Sequence, residues 1–174
     1  MLRIGKLACV AAAVAAVLPV AKAPAQPALR PPTTPMAPLE YAVKFVCGVN
    51  VRSREPLPQL ATGAYYTIIN IHNPNLGAEL TWKVSLAALD KPGLMTPFNP
   101  FMGLKYDQSM DLDCNSIRQW LSAHSIPALP LITGFVVIQT HRELDVVAVY
   151  TAAPADTNQV QTLHTERVPV RKVR

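Results

Sequence analysis

The sequence is short of most residues that announce an activity. It contains three cysteines, four histidines and seven glycines in 174 residues, and aromatics make up 6%. No Cys-x-x-Cys occurs, which leaves a dithiol redox enzyme without its motif. There is no His-Glu-x-x-His and no pair of histidines at helical ligand spacing, so a helix-borne metal centre is excluded. Gly-x-Ser-x-Gly, Ser-x-x-Lys and the phosphate-cradling glycine loops are also missing. So few aromatics argue against an exposed stacking platform for sugars or bases. After the N-terminal region no apolar run approaches the ~20 residues that a spanning helix needs.

The N-terminal region itself has the order of a secretory signal: Arg3 and Lys6, the apolar run Leu7 to Val20, then small residues ending in Ala23-Pro24-Ala25. We read residues 1–25 as a signal peptide, with the mature chain starting at Gln26. Cys9 falls too early, behind Lys6-Leu7-Ala8, to be a lipidated cysteine. Residues 26–38 hold Pro27, Pro31, Pro32, Pro35 and Pro38 and read as an extended, disordered linker. The full chain carries 16 Lys+Arg against 11 Asp+Glu, a net charge of +5. Removing Arg3, Lys6 and Lys22 leaves 13 against 11, or +2, and Arg167, Arg171, Lys172 and Arg174 sit at the far end. The domain between is near neutral, so no basic face for nucleic acid is expected.

What is present is strand patterning. Leu131 to Thr151 contains two β-branched runs, Phe135–Ile138 and Val146–Val149, around the polar stretch Thr140–Glu143. This reads as a central hairpin whose strands are buried on both faces. Glu40–Cys47, Ala64–His72, Leu80–Ala88 and Ser109–Cys114 follow a strand pattern as well, and Val160–Val168 is a candidate last strand. Asn115 is placed to cap a short helix through Ile117, Trp120 and Leu121. Prolines, glycines and asparagines fill the connections. The expectation is an all-β domain over residues 39–168, an antiparallel β-sandwich or small barrel of six to seven strands with one short helix, followed by a basic tail at 169–174.

Cys47 and Cys114 both fall on apolar strand faces, and an oxidising compartment favours joining them. The rival readings are two separate buried thiols or a metal pair. His72 and His141 each end a strand, so the candidate loop-end site is His72 and Asn73 with His141 and Arg142. As metal ligands the two histidines compete with ordinary turn histidines. Asp107, Asp111 and Asp113 form the densest carboxylate cluster, read as a solvated strand face rather than a calcium site, since the EF-hand pattern is absent. No metal and no cofactor is expected.

Three pieces, YAVKFVCG (Tyr41–Gly48), INIHNP (Ile69–Pro74) and ELDVVAVYTA (Glu143–Ala152), resemble a group of small secreted bacterial proteins of unassigned function. More remotely, the strand order is similar to that of the sensory-rhodopsin transducer family, small β-sandwich proteins that associate as oligomers and bind a partner protein. The resemblance implies a β-sandwich and no active site. The signal peptide departs from that cytosolic family, so its rhodopsin partner is not carried over.

The sequence thus points to a secreted, non-catalytic module that binds a protein or a small ligand through strand-end loops. Its scaffold is compatible with a homo-oligomer. Two other readings remain: a hydrolase or metal-dependent enzyme built on His72, His141 and nearby carboxylates, and an envelope component whose basic end, Arg167 to Arg174, meets anionic polymer.

Overall fold

The computed structural model describes residues 39–51, 60–87, 92–155 and 159–173. The expected signal peptide (1–25) and proline linker (26–38) lie outside them, as do Pro56 and Pro58 of the first connection and Ala88 at the expected end of the third strand. The described chain folds as β1 (Leu39–Asn50), β2 (Gly63–Asn73), β3 (Gly77–Leu86), β4 (Met102–Lys105), β5 (Gln108–Asp113), α1 (Cys114–Ala123), β6 (Leu131–Thr140), β7 (Asp145–Ala153), β8 (Thr162–Arg167) and β9 (Arg171–Lys172). The all-β class and the single short helix agree with the strand patterning. Two strands exceed the expected number: β4, too short to show alternation, and β9, which makes part of the expected basic tail a sheet strand. Arg171 and Lys172 pair with Glu40 and Leu39 of β1, and Arg171 donates to the Glu40 carboxylate.

Every strand pairing is antiparallel, in the order β4-β3-β6-β1-β2-β7-β8, with β5 on β2 and β9 on β1. β1 pairs with β6 from Leu39 opposite Thr140 to Gly48 opposite Leu131, but meets β2 only from Gly48 opposite Tyr65 to Asn50 opposite Gly63. The sheet turns at that short seam and is not closed. One layer is β4-β3-β6-β1 and the other is β5-β2-β7-β8. Tyr41, Val43 and Phe45 of β1, Leu80, Trp82 and Val84 of β3, Ile69 and Ile71 of β2, and Val146 and Ala148 of β7 fill a shared core together with Ile117 and Leu121 of α1.

Where β1 leaves β2, its edge carbonyls and amides need other partners, because unpaired buried backbone groups are costly. Side chains of the second layer supply them. Thr67 Oγ1 accepts from Val46 N and donates to Val46 O, both at 3.1 Å. Tyr150 donates its hydroxyl to Lys44 O at 3.2 Å. β3 is finished in the same way by the proline-rich segment that follows it: Asn99 Oδ1 accepts from Trp82 N at 2.6 Å, and Thr96 Oγ1 from Val84 N at 2.9 Å.

The expected central hairpin is not formed. Its two apolar runs are indeed strands β6 and β7, but β6 lies between β1 and β3, while β7 lies between β2 and β8. Residues 141–144 therefore cross from one layer to the other. They lack the Asn-Gly-type turn that a tight hairpin requires. Leu144 is buried at the crossing, and the Tyr41 hydroxyl donates to its carbonyl and accepts from its amide, each at 2.8 Å. Burial on both faces also holds only in part. Val136, Val137 and Ile138 are buried, but Phe135 is 44% exposed, and Val147 and Val149 are half-buried.

Candidate functional site

Two clusters of polar groups lie at opposite ends of β2. The first is where the sequence placed its candidate site. At the end of β2, His72 sits between the β4–β5 turn and the start of β7. Its Nε2 is 2.9 Å from Asp107 Oδ1 and its Nδ1 is 3.3 Å from Asp145 Oδ2, while Arg167 donates to Asp145 Oδ1 at 2.9 Å. Asp107 holds the left-handed turn conformation (φ 59°) and donates its amide to Asn73 O. A neutral imidazole can donate from one nitrogen only, so two carboxylates favour the doubly protonated ring. The hydrogen bond to Asp107, and then the one to Asp145, holds the His72 pKa above that of a free imidazole.

The sign follows from that direction. The clamp contributes fully below roughly pH 6.5, the ordinary histidine value, and its contribution fades as pH rises through the higher folded value. A proton NMR titration should return a His72 pKa above the free value, and Asp107→Asn should bring it down. A His72 that titrates like free imidazole in the wild type would contradict the clamp.

The other members of the expected loop-end site separate in space. Asn73 is fully buried and serves the fold: its amide donates to Leu104 O and Lys105 O, and its Oδ1 accepts from Asn75 N. It is not available to a ligand. His141 and Arg142 are exposed on the layer crossing, and among the described residues neither hydrogen-bonds His72. Among the described residues no three His, Cys, Asp or Glu side chains are placed to hold a metal. The carboxylate cluster is likewise divided. Asp107 serves the clamp, Asp111 is exposed opposite Asn70, and Asp113 caps α1 by accepting from Ser116 N at 2.8 Å. The cap is thus Asp113 rather than Asn115, and Cys114 opens the helix rather than ending the strand.

The second cluster is a cleft of about 490 Å³ at the seam end. Its walls come from the end of β1 (Gly48, Val49), the start of β2 (Ala64, Tyr65, Tyr66), the first turns of α1 (Cys114, Asn115, Arg118) and the end of β7, with Val160 beyond. The disulfide brings these elements together. Cys47 and Cys114 are bonded with their Cα atoms 5.5 Å apart, and Thr67 N donates to Cys114 Sγ at 3.2 Å. β1 and β5 take successive parts of the same edge of β2, so the bridge joins them where that edge changes partner.

Polar groups in the cleft are strongly organised. Tyr66 donates to Asp113 Oδ2 and accepts from Asn115 Nδ2 at 3.3 Å. Burial, reinforced by the Asp113 carboxylate, pushes the Tyr66 hydroxyl up to about 12. Burial alone would raise Asp113, but hydrogen bonds from Tyr66, Ser116 and Asn115 outweigh it and hold the carboxyl below its ordinary value. Arg118 spends its guanidinium on carbonyls: Leu129 O at 2.8 Å, Cys47 O at 3.0 Å and Pro130 O at 3.2 Å. Gly48 makes that approach possible. Its φ is +119°, and a Cβ there would lie 1.9 Å from Pro130 O.

Sequence reasoning missed this cluster because Tyr66, Asn115 and Arg118 carry no catalytic motif. Asn115 and Arg118 are spaced i, i+3 and share a helix face. The β2–β5 ladder, which ends with Ile68 opposite Asp113, and the Cys47–Cys114 bridge together carry that face to the tyrosines.

No protein-family model and no curated protein matches the chain. A solved structure, the crystal structure of Thermotoga maritima 1070, is similar at 10% sequence identity and a TM-score of 0.45, over 77% of this chain and 94% of that one.

Proposed function

We propose that this chain is a secreted, non-catalytic binding module and that its ligand sits in the cleft beside the Cys47–Cys114 bridge. The cleft carries the proposal. It sets an apolar wall (Val49, Ala64, Val160) against a few fixed polar groups (Tyr66, Asn115, Arg118), the usual composition of a small-molecule site. The chemistry fits a ligand with an apolar body and a polar or acidic edge near the Arg118 charge, whose bonded guanidinium donors, like the Asn115 amide, already serve the fold. The loop-end histidine and its carboxylates are paired with one another, which suits a clamp on the fold better than a reaction.

A ligand-shift melting screen of aromatic acids and polar aromatics tests the reading. The expected result is a raised melting temperature with a subset of these compounds. Val49→Trp, at an exposed cleft position, should weaken binding about tenfold or more, equivalent to roughly 1.4 kcal/mol. No shift across the screen, or shifts indifferent to Val49→Trp, would overturn it.

Secretion is supported by the signal-like residues 1–25, by the bridge, and by the resemblance to small secreted bacterial proteins. Intact mass of exported protein should correspond to a chain starting at Gln26. A mass that includes Met1–Ala25 would refute export by cleavage.

A further inference from the structure

β8 is unusual among the strands. All six of its residues are exposed, and among the described residues no strand pairs with its outer edge. Val168 N donates to Val146 O, directly opposite. That fixes the alternation: residues 164 and 166 bond toward β7, and the amides and carbonyls of Leu163, Thr165 and Arg167 point to the open edge. Natural edges are usually blunted by proline, by charged side chains, lysine above all, or by a bulge; residues 162–167 carry neither proline nor lysine, and their two charged residues, Glu166 and Arg167, are of opposite sign.

We propose that this edge pairs with β8 of a second copy of the chain, antiparallel about a twofold axis through Thr165. The side chains choose the register. With Thr165 opposite its own counterpart, His164 faces Glu166 of the second copy, and by symmetry Glu166 faces its His164. Leu163 faces Arg167 across the other side of the sheet. An imidazole facing a carboxylate can donate to it, and paired threonines also favour antiparallel neighbours. Centring on Arg167 instead would set two arginines together and bring Pro169, which has no amide, opposite Thr165. Each His164 is already held in place, stacked 6.0 Å from the Tyr150 ring, and Glu166 Oε2 lies 3.3 Å from the Tyr150 hydroxyl, whose one proton it shares with Lys44 O. The dimer would be one sheet continuous across both copies. The pairing does not depend on a ligand in the cleft.

Sedimentation velocity over a wide concentration range, on exported and disulfide-bonded protein, is the test. The wild type should pass from monomer to dimer as concentration rises. Thr165→Pro removes an outward amide that no strand among the described residues uses and should raise the dimer dissociation constant about tenfold or more. Glu166→Lys removes the acceptor opposite His164 and sets a lysine on the pairing edge, and should weaken pairing in the same direction. Circular dichroism and melting curves confirm that each variant is folded, and Glu166→Lys carries the test if Thr165→Pro is not. A wild type that stays monomeric throughout overturns the proposal, even if an added peptide pairs with β8. So does a dimer that neither substitution weakens.

Discussion

Replacing Cys47 with serine should lower stability by roughly 4 kcal/mol and the melting temperature by about 10–15 °C. The bridge spans a sequence separation of 67, and in the chain-entropy account the loss comes mainly from releasing that loop in the unfolded state. The folded state contributes as well. Cys47 is fully buried, so a serine hydroxyl there would need a partner, and Cys114 would lose the bond that seats it against Thr67. The effect should be concentrated at the seam. Hydrogen exchange in Cys47→Ser should quicken first at Val46 and Thr67, which hold β1 to β2 without a strand ladder, and later in the β1–β6 ladder. Uniform quickening, or a melting temperature within 2 °C of wild type, would contradict a seam held by the bridge.

Phe45→Ala should cost about 3–5 kcal/mol. Phe45 is fully buried and lies directly opposite Gly134. A Cβ on Gly134 would come within 3.1 Å of the Phe45 ring and 2.2 Å of Ser85 O. The ring thus occupies the space above a glycine that β3 already crowds, an aromatic covering a strand glycine. Truncation leaves a void that neither Gly134 nor the backbone of β3 can refill. The matched control is Phe135→Ala on the outward face of β6, which should cost less than about 1 kcal/mol. Urea denaturation with the disulfide intact measures both. Equal losses would mean that the inward and outward faces have been confused.

The two phenylalanines show what the sequence could and could not reveal. The face of β1 was legible, because Tyr41, Val43, Phe45 and Cys47 alternate with residues that tolerate water. The face of β6 was not, since Phe135, Val136, Val137 and Ile138 are all apolar and a period-two signal vanishes in such a run. Partnership was harder still. β6 and β7 are neighbours in sequence, yet the crossing at Leu144 puts them in different layers, and what fixes it is a hydroxyl from Tyr41, about a hundred residues away. The same holds at the candidate sites. His72 is visible as a strand-end histidine, but its carboxylates come from the β4–β5 turn and the start of β7. Asn73 looked like a loop residue and is core. Asp113 belongs to the strand, as its alternation indicates, but its second role as the helix cap does not show in the pattern. Side-chain groups that stand in for backbone partners, such as Thr67, Asn99 and Tyr150, leave no periodic trace at all.

The bridge places the start of α1 against the end of β1 and builds the cleft wall. Thiol titration of the mature protein, denatured without reductant, tests it most directly. The account predicts no titratable thiol in a chain that starts at Gln26, because that chain lacks Cys9 and its Cys47 and Cys114 are joined. Two titratable thiols in each mature chain would contradict it.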